Sequence, residues 1–335
     1  MKLLRITIAA VLLLSAVTVT AQRGGLVLAT IVPVNSVWDR ILKQMASEWT
    51  KVTDGRVRLQ IRSGGSVGDE ATVIRRMRTN RPQVAALTLS GLGDIDADFG
   101  VFGIPYFFES DGEARHVLEK LTARLEGKLA KGGLILLGWG HGGWAHIFSA
   151  DPVTTLEQLR ATKLFVPAGD DDALQWYKES GFQPVPLEIG DVMMGLNTGM
   201  IDAYPSPPIG ALVFQWYREV SHMLDVPLAP VFFATVITDR TWRGLDAADQ
   251  TAIRESVKAA EQRMWAEMPR QDREAVAEME KRGLTVNTVD ASTARSFRTL
   301  ADELTASWRG ELVPADVYDL ALRERNAFRA GNGDQ

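Results

Sequence analysis

A chain of 335 residues with 46% hydrophobic and 24% charged content has room for two ordinary globular domains and no low-complexity tract to suggest disorder. Its formal charge of −5 argues against a nucleic-acid partner, which calls for a basic surface. With no cysteine, it excludes disulfide stapling, thiol catalysis and a lipid anchor on cysteine, so stability has to come from a buried core.

The N-terminus predicts an exported protein. Lys2 and Arg5 precede an apolar run from Ile6 to Val19, and Val19-Thr20-Ala21 places small side chains at the −3 and −1 positions for cleavage after Ala21. The run falls short of the roughly 20 residues needed to span a bilayer. Residues 1–21 therefore read as a signal peptide. An exported, acidic, cysteine-free chain suggests a bacterial periplasm.

The mature chain opens with alternating strand and helix signals. Leu26 to Val32 is a β-rich run closed by Pro33, and Asn35 offers a cap for the helix that follows. Trp38, Ile41, Leu42, Met45, Trp49 and Val52 form one helical stripe. Arg56 to Arg62 alternates as a strand, a helix is expected from about Asp69 to Arg78, and Gln83 to Leu89 reads as a third strand. This βαβαβ start predicts a largely parallel sheet. Further on come a helix from about Gly112 to Ala130 and a strand from Leu134 to Trp139. The glycine-rich Gly140 to Trp144 reads as a loop, with a new strand at His146 to Ser149. Leu164 to Pro167 and Ile201 to Pro205 read as strands whose ends meet at one crevice, with helices at about Ala173 to Ser180 and Pro208 to Val220. Phe232 to Asp239 is a strong strand. Asp246 to about Arg282 is almost continuously helical, with Pro269 as a kink and Gly283 as a stop. At 1.5 Å per residue such a helix is longer than one small domain is wide, so it is expected to cross two.

Chemical motifs are sparse. There is no phosphate-binding glycine loop and no nucleophile elbow. The four histidines, His116, His141, His146 and His222, show no metal-ligand spacing, so neither an enzyme nor a metal or cofactor is expected. Asp170-Asp171-Asp172 reads as an acidic helix start rather than a cation site. Trp139, Trp144 and Phe165 stand next to strand ends or glycines, where ligands of α/β proteins are bound.

Several segments in register resemble the DctP-type solute-binding proteins of TRAP (tripartite ATP-independent periplasmic) transporters. They are Val52 to Glu70, Phe102 to Val117, Pro152 to Pro167, Met193 to Ser206, and Val220 to Trp242 with the long helix. The resemblance implies an α/β, two-lobed periplasmic-binding-protein-like fold with a hinge and a long connecting helix. It places lobe I at 22–144 and 229–268, and lobe II at 145–228 and 269–335. It implies a monomeric periplasmic receptor that closes on a small molecule and docks on membrane permease subunits. A sensor that docks on a receptor kinase is the alternative partner reading.

The departures from the family pattern concern the ligand's charge. The strand arginine that usually forks onto a ligand carboxylate falls on Phe165. A second arginine falls on Trp144-Ala145-His146, and the family asparagine on Ser206. The expected ligand is therefore uncharged, apolar or aromatic, held by Trp139, Trp144, Phe165, Tyr204 and Phe232. His141, His146, Ser206, Glu70 and Ser90 would provide polar contacts, the last two from lobe I. An acid bound through a displaced anchor, with Arg75 and Arg76 as candidates, is the competing reading.

Overall fold

The computed structural model describes residues 25–168 and 171–332. The expected signal peptide, its cleavage after Ala21, and Asp170 lie outside the described residues. The first half of the fold starts with β1 (Leu26–Thr30), α1 (Val37–Val52), β2 (Leu59–Arg62), α2 (Glu70–Met77), β3 (Val84–Thr88) and the short α3 (Leu89–Leu92). β1 pairs in parallel with both β2 and β3, as the βαβαβ pattern predicts. The α1 stripe is buried, with Trp49 and Leu42 essentially inaccessible. Ser36, not Asn35, caps α1 by accepting from the Asp39 N–H, while Asn35 takes a left-handed turn at φ 64°.

α4 (Asp111–Lys131) is capped by Ser110 and leads into β4 (Leu134–Ser149). β4 corrects a sequence expectation: the glycine-rich stretch is not a loop between two strands but the middle of one strand. The reason lies across the sheet. A side chain at Gly138 would meet Val257 at 2.7 Å, one at Gly140 would meet the Met264 sulfur at 2.8 Å, and one at Gly143 would overlap the Asp272 carboxylate. All three partners belong to the 34-residue α10 (Ala247–Glu280), which lies directly on β4. The glycines are small because a helix has to come close, a packing requirement that resembles a turn signal when read along the chain.

The second half contains α5 (Leu156–Ala161), β5 (Lys163–Pro167), α6 (Asp171–Glu179), β6 (Gln183–Leu187), α7 (Val192–Asn197), β7 (Ala203–Ser206) and α8 (Pro208–Val213). β8 (His222–Leu224), β9 (Ala229–Thr238), α9 (Asp239–Arg243), α10, β10 (Thr285–Asn287), α11 (Ala291–Ala306) and α12 (Ala315–Asn332) complete the chain. The helix expected from Pro208 to Val220 stops at Val213. Gln215 turns left-handed there, at φ 62°, and a short 3₁₀ turn follows at Trp216–Arg218.

The strands run in the order β2-β1-β3-β9-β4-β7-β5-β6, with β8 beside β4 and β10 beside β8. β4 is shared between two sheet halves: its first part pairs with β9, and its last four residues pair with β7. Each half is mixed, with parallel pairs flanked by antiparallel pairings to β9 or β4, and carries its own core. Trp49, Leu28 and Ile253 mark one face of the first half, and Phe99, Phe102 and Leu121 the other. In the second half Phe148, Tyr204 and Trp216 lie on one face, and Ile147, Leu164 and Ala203 on the other. The result is a mixed α/β, two-lobed fold spanned by β4, β9 and α10. α12 packs on α4 of the first lobe, with Val317 and Tyr318 in the same core as Phe107, although the sequence grouped 269–335 with the second lobe. His116 faces Glu324 at 3.6 Å and the Phe328 ring.

Candidate ligand-binding cleft

β4 crosses between the lobes at His141 to His146, where its register with β9 shifts. His141 is almost fully buried. Its ring stacks on Trp265, with centroids 4.4 Å apart and planes 7° apart, and its Nε2 lies 3.3 Å from Asp111 Oδ1. Trp144 Nε1 donates to the same oxygen at 2.5 Å. Further along α10, Asp272 accepts the Trp144 N–H at 3.4 Å and the Ile209 N–H at 3.2 Å, joining α10, β4 and α8. Burial pulls Asp111 upward, but the His141 and Trp144 contacts outweigh it and hold the carboxyl below its usual range. Asp272 has no ion-pair partner among the described residues, and burial pushes it up to about 6 despite two backbone donors. The crossing point thus holds two carboxylates, and an anion placed beside them would meet like charge.

On the second lobe, strand alternation sends Phe165, Tyr204 and Phe148 to the same face. Phe165 is 4% exposed and meets Trp216 edge-on at 6.2 Å. Trp216 also packs edge-on against Tyr204 at 5.3 Å and stacks on Phe214 at 4.6 Å. The Tyr204 hydroxyl is buried without a hydrogen-bond partner among the described residues. His146 sits opposite Ser206 in the β4–β7 register. Burial lowers its pKa, leaving it neutral at neutral pH, and its Nδ1 lies 3.1 Å from the Leu224 carbonyl. Ser206 donates to the Pro207 carbonyl at 2.9 Å, so its hydroxyl is engaged locally.

On the first lobe, Glu70 opens α2, and its carboxylate accepts the Thr88 N–H and hydroxyl, each at 2.6 Å. Burial, with the nearby Asp94 and Asp69 charges, raises it from an ordinary value near 4.5 to about 7, against the pull of Thr88. Folding therefore takes up a proton at Glu70 between those values. The stabilisation is complete below about pH 4.5 and is lost as pH rises through about 7. The wild-type minus Glu70→Gln difference in unfolding free energy, from urea titrations across this range, is expected to fall as pH rises. A flat difference would remove Glu70 from the titrating set.

The structure brings Phe165 and Tyr204 together through Trp216, and His146 together with Ser206. It places Trp139 in the first-lobe core, and Phe232 there too, with its ring 5.6 Å from that of His141. Trp139 Nε1 donates to Thr122 Oγ1 at 3.0 Å, and the Phe232 ring packs between Phe102 and Trp265. Ser90 falls in α3, just beyond β3. Sequence reading missed Asp111, Asp272, Trp265 and Trp216. Asp272 sits 128 positions from its Trp144 partner, in a helix run rich in charge, so no local pattern marks it.

Two α/β lobes are joined by β4, β9 and α10, with the Phe165, Tyr204 and Trp216 cluster in the second lobe and Asp111 and Asp272 at the crossing. The chain belongs to the DctP family: the family model for bacterial extracellular solute-binding proteins, family 7, matches residues 28–311. A solute-binding protein of Chromohalobacter salexigens is 26% identical over 265 residues, covering 76% of each chain. The sialic acid-binding periplasmic protein SiaP of Vibrio cholerae is 21% identical over 85% of this chain and 89% of its own. Among solved structures, the Bordetella pertussis receptor DctP7, which binds pyroglutamic acid, superposes with a TM-score of 0.82 at 19% identity, over 90% of this chain and 99% of its own. The Chromohalobacter salexigens TRAP receptor with bound D-glucuronate gives 0.80 at 21%, over 90% of this chain and all of its own. The chain is a TRAP-type solute receptor, a class that is periplasmic and works with membrane permease subunits. Among the described residues no helix is long and apolar enough to cross a membrane.

Proposed function

We propose that this receptor captures a small solute that is uncharged and largely apolar or aromatic, and delivers it to its permease. It does so as an exported monomer without catalysis or cofactor, its signal peptide removed after Ala21. The observation that carries the reading is Phe165, buried against Trp216 at the position where the family resemblance puts a carboxylate-binding arginine. Asp111 and Asp272 near the second arginine position, at Trp144, support it. An ionised ligand carboxylate buried there without a cation would cost several kcal/mol. Arg75 and Arg76, the displaced candidates, are exposed on α2, and Arg75 donates to Thr72.

The lobes divide near 144/145 and 228/229, and closure follows only if the solute binds the closed form better than the open one. Phe165 and Tyr204 would contact it from one lobe, and Glu70 and Ser90 from the other.

Receptors of similar fold are described with bound acids, including D-glucuronate, β-D-galacturonate and pyroglutamic acid, so acids are the control that matters. A thermal-shift panel of C4-dicarboxylates, keto acids, hexuronates and uncharged aromatic or alicyclic compounds tests the assignment. Stabilisation is expected from the uncharged arm. A large shift with a dicarboxylate or hexuronate would instead establish an acid receptor with an unusual anchor.

A further inference from the structure

The second lobe holds a cavity of about 90 Å³ on the Leu164 face of its sheet, with Phe165 also among its lining residues. Leu164 packs in the core on that side, together with Ile147, whereas Phe165 and Phe148 pack on the other. The cavity is walled by Ile147, Leu164 and Val166 from the sheet, Leu159 from α5 and Trp176 from α6, and bounded by Tyr106 from the segment before α4. Tyr106 departs from the rest of the lining in two ways. Its backbone is left-handed at φ 57°, an unfavourable conformation for an aromatic residue. Its side chain is 6% exposed, and its hydroxyl is buried with no hydrogen-bond partner among the described residues. A buried hydroxyl without a partner is costly. Tyr177 is the other tyrosine of the lining; the remaining lining residues are aliphatic, proline or aromatic and offer little to a water molecule, which needs two to four polar contacts.

We propose that this cavity is a second small-molecule site, taking a branched or cyclic hydrocarbon of about five heavy atoms that carries one hydroxyl or carbonyl group to pair with Tyr106. The size follows from the volume, which is close to that of three water molecules at roughly 30 Å³ each and below the roughly 150 Å³ of an apolar cavity that admits benzene. The site borders Phe165, which is also one of the proposed solute contacts.

Isobutanol and xenon are the probes, followed by ligand-observed NMR for the alcohol and xenon NMR for the gas, on the intact mature protein. Wild type is expected to bind both. Val166→Phe fills the cavity and should abolish both signals. Tyr106→Phe keeps the shape and removes the hydroxyl; it should weaken isobutanol about tenfold and leave xenon unchanged. Wild type that binds neither probe, or a Tyr106→Phe protein that binds isobutanol as tightly as wild type, would overturn the proposal. If Val166→Phe does not fold, Tyr106→Phe still decides it.

Discussion

Phe165→Arg is expected to lower folding stability by about 3–5 kcal/mol and, at the same time, to create affinity for a ligand carboxylate. The loss arises because the new guanidinium enters a site only 4% exposed, against the Trp216 ring and the Tyr204 ring beyond it, an aromatic cluster that offers it no counter-charge. The gain arises because β5 already presents this position from the strand end where the resemblance puts an arginine. A hexuronate or dicarboxylate that reaches the guanidinium binds only the folded state and restores part of the loss. Ligand at 100 times its dissociation constant restores roughly 2.7 kcal/mol. Urea unfolding of the variant, with and without D-glucuronate, measures both effects. A variant as stable as wild type would mean that position 165 is not enclosed by the aromatic cluster. A destabilised variant that no acid rescues would mean that the strand end does not face the solute.

The second large effect is at the crossing of the lobes. Gly143 has φ 96°, and a Cβ there would overlap Asp272 Oδ2 and lie 3.0 Å from its carboxyl carbon. Gly143→Ala therefore combines backbone strain with overpacking against a carboxylate that α10 holds in place, for a combined loss of about 2–5 kcal/mol. The same shift pulls Asp272 away from the Trp144 and Ile209 N–H groups, so the joint between α10, β4 and α8 loosens. Gly127 is the control. It lies exposed inside α4, where a Cβ would have nothing within 4 Å, and Gly127→Ala should raise stability by roughly 0.5–1 kcal/mol. Equal effects of the two substitutions in chemical denaturation would show that the crossing does not depend on the close approach of Asp272.

What was legible in the sequence was periodic and local. The Trp38-to-Trp49 stripe, the alternation over Arg56 to Arg62 and the run ending at Gly283 each express one element's own period; both helices form where their patterns lie, and the strand forms over the last four residues of its pattern, Leu59–Arg62. The two-lobed fold followed from the family segments in register, and the likeness to solved receptors supports it. What was not legible depended on contacts between distant segments. The glycines of β4 read as a turn because the helix that requires them lies more than a hundred residues downstream. β8 and β10, three residues each, pair with one another across the intervening long helix, a contact no local pattern announces. Among the proposed solute contacts, Phe165 and Tyr204 stand out in the sequence because strand alternation and position point to them. Asp111 and Asp272 do not, since each gains its role from partners on other elements.

A calorimetric titration of matched pairs, D-glucuronate against D-glucuronamide and pyroglutamic acid against its amide, isolates the charge while holding the shape nearly constant. With Phe165 in place of a cation and Asp111 and Asp272 beside the crossing, the acids should bind no more tightly than their neutral amides. An acid that binds tenfold or more tightly than its amide would contradict the assignment of this receptor to an uncharged solute.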